Sequence, residues 1–274
     1  MNIGHPDGDA ADNPGSPQPR QRNPRTFQGT RHDGAERHDR LEDLLNLDEQ
    51  VSAALADLND HASVALLHDM PTRYGIHTAN AVGVSMADMK AVAARLGRSH
   101  PLAEALWATG LYEARIVASM IDEPERVTLE QMERWCHDFD NWAICDTVCF
   151  HLFDRTPHAW IKVEQWAAQP DEFVKRAAFA LLWGLARHDR DATDAQFAAA
   201  LRLIECEATD ERPLVKKSVS MALRSIGKRN PVLHASARTV AESLAEAPGG
   251  SARWIGRAAL RDLALDSARR VSSP

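Results

Sequence analysis

The chain has 274 residues, 44% hydrophobic and 26% charged, with a formal charge of −7. That apolar fraction closes a sizeable core in one large domain or two small ones, which excludes a wholly disordered chain. The four cysteines, Cys136, Cys145, Cys149 and Cys206, lie in helical patterns without the CxxC spacing of a zinc site. They read as small buried hydrophobes, and no metal is expected.

Residues 1–40 hold only Met1, Ile3 and Phe27 as large apolar side chains, and their charges balance. Such a segment cannot offset its ordering entropy, so a disordered tail over 1–40 and a folded domain over 41–274 are expected. No apolar signal-peptide core follows Met1 and no apolar run is long enough to span a bilayer, which points to a cytoplasmic protein without membrane contact.

Beyond the tail, strand signals are almost absent and helix signals recur. Ser85 opens a helix over Met86 to Leu96; Ser99 and Pro101 open the next, to Thr109; Gly110 stops it, and Leu111 to Ile121 follows. Thr128 with Gln131, and Thr193 with Gln196, have capping-box spacing. Asp-Glu-Pro at 122–124, Gln-Pro at 169–170 and Asn-Pro at 230–231 separate further segments.

The stretch 138–150 places Trp142 and Asp146 four residues apart in an otherwise apolar helix, hence on one face. A carboxylate among Ile144, Val148 and Phe150 has to meet a cleft or a specific cation. The alternative is an amphipathic helix with Asp146 on its polar stripe and Trp142 in the core. Trp107, Trp160, Trp166 and Trp183 read as core residues, and His137, His151 and His158 as helix-surface residues.

Val174-Lys175-Arg176, Val215-Lys216-Lys217 and Ile255-Gly256-Arg257 align, which spaces Arg176, Lys217 and Arg257 by 41 and 40 residues. HEAT and armadillo hairpin repeats have about this period, so an all-α, curved solenoid is expected, with a row of basic residues along one surface. The charge is also uneven. Residues 211–274 carry twelve Lys and Arg against five Asp and Glu, on an otherwise acidic chain. A polyanion bound on one surface fits that balance.

The ordered set Leu106 to Arg115, Trp142 to Asp146, Phe173 to Arg176, Val215 to Lys217, Ala222 to Arg224 and Gly227 to Pro231 resembles the bacterial DNA alkylation-repair glycosylases built from HEAT-like repeats, the AlkD type. The resemblance spans about residues 45–265. It implies hydrolysis of the N-glycosidic bond of alkylated, cationic purines in duplex DNA by a monomer that needs no cofactor. By the same resemblance Asp146 is the catalytic carboxylate, Trp142 a wall aromatic, and Arg176 a support that also touches the DNA backbone. Lys216, Lys217, Arg224, Lys228, Arg229 and Arg257 become candidate phosphate contacts, and Tyr112, Arg115 and Met221 candidate groove residues. Glu113 with Arg115 fits structural hydrogen bonds equally well. The sequence departs from the family at Met221, where a Trp usually precedes Ala-Leu-Arg; Met packs against a sugar or base edge but lacks the π face of Trp. The competing reading is a non-enzymatic helical-repeat module that binds DNA or a protein.

Overall fold

The helix starts carry their own caps. Side chains of Ser63, Ser85, Ser99, Thr128, Asn141, Asp171, Thr193 and Asn230 each accept a backbone N–H from the turn that follows. Each cap contributes about 1 kcal/mol to its helix. Pro101, Pro213 and Pro231 sit in first turns, where their missing N–H has no partner to lose. Gly110, at φ +70°, ends a helix in a backbone conformation that other residues rarely adopt.

A computed structural model describes the backbone of residues 32–272 and the side chains of residues 45–265. All regular structure among the described residues is helical: α1 (His32–Asp60), α2 (Val64–Arg73), α3 (Met86–Leu96), α4 (His100–Ala108), α5 (Tyr112–Ile121), α6 (Leu129–His137), α7 (Trp142–His151), α8 (Ala159–Ala167), α9 (Glu172–His188), α10 (Asp194–Glu207), α11 (Pro213–Ile226), α12 (Pro231–Glu246) and α13 (Gly250–Ser272). A 3-10 turn, Phe153–Arg155, follows α7. Of the expected disordered tail, residues 1–31 lie outside the described residues, while 32–40 belong to α1. One compact unit starts at Leu45. No helix among the described residues is long and apolar enough to cross a membrane.

Within that unit α3, α5, α7, α9, α11 and α13 pack in a row, each against the next. A second layer covers the row: α4 on α5, α8 on α9, α10 on α11 and α12, and α12 on α13. This is the expected α-solenoid of HEAT-like hairpins, in which each repeat buries its apolar face on its neighbours. Trp107 stacks on Trp135 at 3.9 Å, and Phe153 links Trp135 to Trp166. Burying each such ring stabilises the fold by roughly 1.5–3 kcal/mol or more. Where α12 crosses α13, a Cβ on Gly256 would stand 2.4 Å from the Ala245 nitrogen, so only glycine permits that approach. Three cysteines are buried as expected, but Cys206 is exposed.

The register of the row places the site. Cys145 meets the Phe173 carbonyl and Cys149 the Ala177 carbonyl, so α7 and α9 run parallel. Arg176 reaches Leu214, and Ser225 reaches the Trp183 carbonyl, so α9 and α11 do the same. Residues one repeat apart therefore stand side by side on one face.

Candidate active site across α7, α9 and α11

Asn141 caps α7 by accepting from the amides of Ala143 and Ile144, which fixes where Trp142 and Asp146 emerge. Trp142 is half-buried at the first position of α7, and its indole N–H donates to the Tyr74 carbonyl at 3.1 Å. Asp146 stands one turn further along. Its Oδ1 accepts from Arg176 Nε at 2.9 Å and its Oδ2 from Arg176 Nη2 at 2.6 Å. The remaining Arg176 nitrogen, Nη1, donates to the Leu214 carbonyl at 2.6 Å. One guanidinium thus ties α7, α9 and α11 together.

The electrostatics of this pair follow from burial. The Arg176 side chain is 3% exposed and that of Asp146 is 14% exposed. Burial pushes the Asp146 carboxyl above the usual carboxylate range, against the pull of Arg176 and of Lys217. On Arg176 burial acts downward most strongly, and the Asp146 charge and hydrogen bonds together with Cys145 and Cys149 outweigh it and raise the guanidinium. A two-point fork of this geometry favours the ionised form of both partners and so opposes the effect of burial on Asp146.

The face continues along the same helices. Phe150, one turn beyond Asp146, packs edge-on to Trp183 of α9 at 4.1 Å. Trp183 is half-buried and lines a cavity of about 190 Å³ with Met221, Arg187, Arg224, Lys228 and Asp262. Its assignment to the core is therefore corrected. On α13, Trp254 is 42% exposed with Lys216 Nζ 5.5 Å from its ring centre. Trp254 was not singled out from the sequence; its place beside Arg253 and Arg257 was the available signal.

The basic candidates divide. Lys217 and Arg257 are exposed and have no salt-bridge partner among the described residues. Arg224 keeps its terminal nitrogens available while Nε donates to the Ser220 carbonyl. Lys228 pairs with Asp262 at 2.5 Å. Arg229 departs from the expected phosphate contact: it donates to the carbonyls of Leu185, Ala186 and Ala192 and lies over Phe197 at 4.2 Å, so its charge closes the α9–α11 packing. Arg176, 2% exposed with its fork engaged, likewise holds Asp146 rather than reaching a DNA backbone.

Two groove candidates are corrected outright. Tyr112 is buried, and burial with the nearby charges of Glu113 and Asp140 pushes its phenol up to about 12. Arg115 lies over Trp107 and donates to the Asp138 carbonyl, while Trp107 donates to the Asp138 carboxylate. Both are structural, and the Arg115 partner Asp138 lies 23 residues away, where local spacing does not reveal it. Glu113, fully buried, accepts from the amides of Val82, Gly83 and Val84 and organises the loop before α3. His137 is exposed as expected, whereas His151 and His158 are half-buried.

Fold and face together define a HEAT-like helical-repeat protein with a carboxylate–arginine pair set in a basic surface. A family model described as DNA alkylation repair enzyme matches residues 54–263, and the chain belongs to that family. It is similar to a solved protein described as one of a new family of proteins related to the HEAT-like repeat DNA glycosylases with affinity for branched DNA structures. The TM-score is 0.62 at 21% identity, over 70% of this chain and 81% of that one. A designed armadillo repeat protein gives a TM-score of 0.29 at 16% identity, over 65% and 68%, too distant to add to the fold. No curated protein matches the chain.

Proposed function

We propose that the protein is a monofunctional DNA glycosylase releasing alkylated, cationic purines of the 3-methyladenine and 7-methylguanine class from duplex DNA. The observation that carries this reading is the Asp146 carboxylate, fixed by a two-point guanidinium fork yet partly exposed, one turn from Trp142 and beside Lys217.

Alkylation at a ring nitrogen makes the purine a cationic leaving group. When the C1′–N bond breaks, its electron pair neutralises the base, so no general acid is required. Positive charge instead develops on the sugar. Each oxygen of Asp146 has a second lone pair beyond the one given to Arg176. Those lone pairs stabilise the oxocarbenium-like sugar and orient the water that adds at C1′ and yields its proton to solvent. Arg176 acts as a positioning residue: it sets the carboxylate angle and keeps it ionised. Trp142 offers an aromatic wall to a cationic sugar or base. Lys217, Arg257, Lys216 and Arg224 hold phosphates and fix register without reading sequence. The chain works as a monomer in this account, because one copy supplies every named group.

A second reading, a DNA-binding module without catalysis, draws on Met221 in place of an aromatic and on both Asp146 oxygens being engaged by Arg176. It also fits the branched-DNA affinity described for the solved relative. Base release separates the two. Incubation of the wild-type chain with methylated duplex DNA is expected to liberate free 7-methylguanine or 3-methyladenine; tight binding with no release of either assigns the protein to the second reading.

A further inference from the structure

Beyond Phe150, which stands one turn after Asp146, lies the cavity bounded by Trp183 and Met221 on one side and Arg187, Arg224 and Lys228 on the other; of these residues only Arg224 has a role in the chemistry described above. It shares Arg187 and Lys228 with an adjoining cavity of about 440 Å³ that adds Arg190. The one acid in the lining, Asp262, is already paired with Lys228 at 2.5 Å, so Arg187, Arg190 and Arg224 remain as unbalanced charge. Arg187 and Arg190 are exposed on the last turn of α9 and beyond it, with no salt-bridge partner among the described residues. A protein of net charge −7 that gathers three such cations around an indole and a thioether is built for an anion carrying a flat apolar group.

We propose that this double cavity takes one unpaired nucleotide of a DNA strand, its base against Trp183 and Met221 and its flanking phosphates on Arg187, Arg190 and Arg224. The proposal rests on the reading that this face binds DNA. Phe150, packed edge-on against Trp183, holds the indole in place, and the Ser225 hydroxyl bound to the Trp183 carbonyl fixes the backbone beneath it. A base stacked on a braced indole contributes to affinity with little dependence on its identity, and cations at the rim supply the salt-sensitive part. The site would sit next to the nucleotide facing Asp146, so it favours DNA in which a neighbouring or displaced nucleotide has left the stack.

The test compares affinity for a fully paired duplex with affinity for the same duplex carrying one unpaired nucleotide. Wild type is expected to prefer the second by on the order of tenfold. Arg187→Ala, which breaks no hydrogen bond or salt bridge among the described residues, and Trp183→Leu should each bring the ratio toward one, whereas Lys217→Ala should weaken both DNAs and keep the ratio. Free deoxynucleoside monophosphate should fail to compete, because the flanking phosphates are missing. Equal wild-type affinity for both DNAs overturns the nucleotide site while DNA binding stands. Competition by the free nucleotide as effective as that by the strand also overturns it. Failure to bind either DNA overturns this site together with the reading beneath it.

Discussion

At the scale of single residues, Arg176 carries two jobs that separate experimentally. Its fork neutralises Asp146, and its third nitrogen closes the α9–α11 contact at Leu214. Removing it leaves a carboxylate in a site that is 14% exposed, with only Lys217 nearby. Arg176→Ala is therefore expected to cost about 3–5 kcal/mol in denaturant unfolding. Lys217→Ala, an exposed change, should stay within about 0.5 kcal/mol. A stable Arg176→Ala protein would show that the pair is not structural. Residue identity alone separated these roles poorly. In sequence Arg229 reads as a phosphate contact, Arg176 as a support that also touches DNA and Arg115 as a groove or structural residue, yet each guanidinium is committed to a carbonyl or carboxylate 23 to 44 residues away. Such partners are fixed by the stacking of repeats, which spacing along the chain does not reveal.

At the scale of elements, local chemistry was more legible. Ser85 and Gly97 bound α3 as the sequence reading placed it, and Thr193 with Gln196 forms a full reciprocal capping box. Thr128 with Gln131 looked equivalent and is not. Thr128 accepts from the Gln131 amide, but the Gln131 side chain is drawn away to the buried Asp122 carboxylate at 2.7 Å. Tertiary demand outweighed the local motif there. The cap with the greatest functional leverage is Asn141, buried at the start of α7 and bonded to two amides. Asn141→Ala is expected to destabilise the protein by about 1–2 kcal/mol and to lower base release by more than the unfolded fraction explains. Thr193→Ala, in an exposed cap far along the chain, should match only the stability loss. Equal effects of both substitutions on activity would disconnect α7 geometry from the chemistry.

At the scale of the whole molecule, the 40-residue period seen in Arg176, Lys217 and Arg257 falls on α9, α11 and α13. The period located the repeats, but the row it predicted is graded: Arg176 is buried, while Lys217 and Arg257 are exposed. In the proposed function, support of Asp146 and phosphate holding are thus successive positions of one repeat pattern. If Lys216, Lys217, Arg224 and Arg257 are the cations that meet a fully paired duplex, about four phosphates are neutralised. A log–log salt slope of about −3 to −4 follows, roughly a hundredfold loss of duplex affinity between about 50 and 200 mM salt. A flat salt response would remove these residues from the DNA interface.

The central claim is that Asp146 stabilises charge which exists only in the transition state. Asp146→Asn preserves shape and one acceptor for Arg176 but removes the negative charge. The decisive measurement is the single-turnover rate of 7-methylguanine release from duplex DNA by wild type and by Asp146→Asn, corrected for the folded fraction, alongside duplex affinity. The account predicts a rate lowered on the order of 10²–10³-fold with duplex affinity nearly unchanged. A folded Asp146→Asn protein that releases the base at the wild-type rate would contradict it.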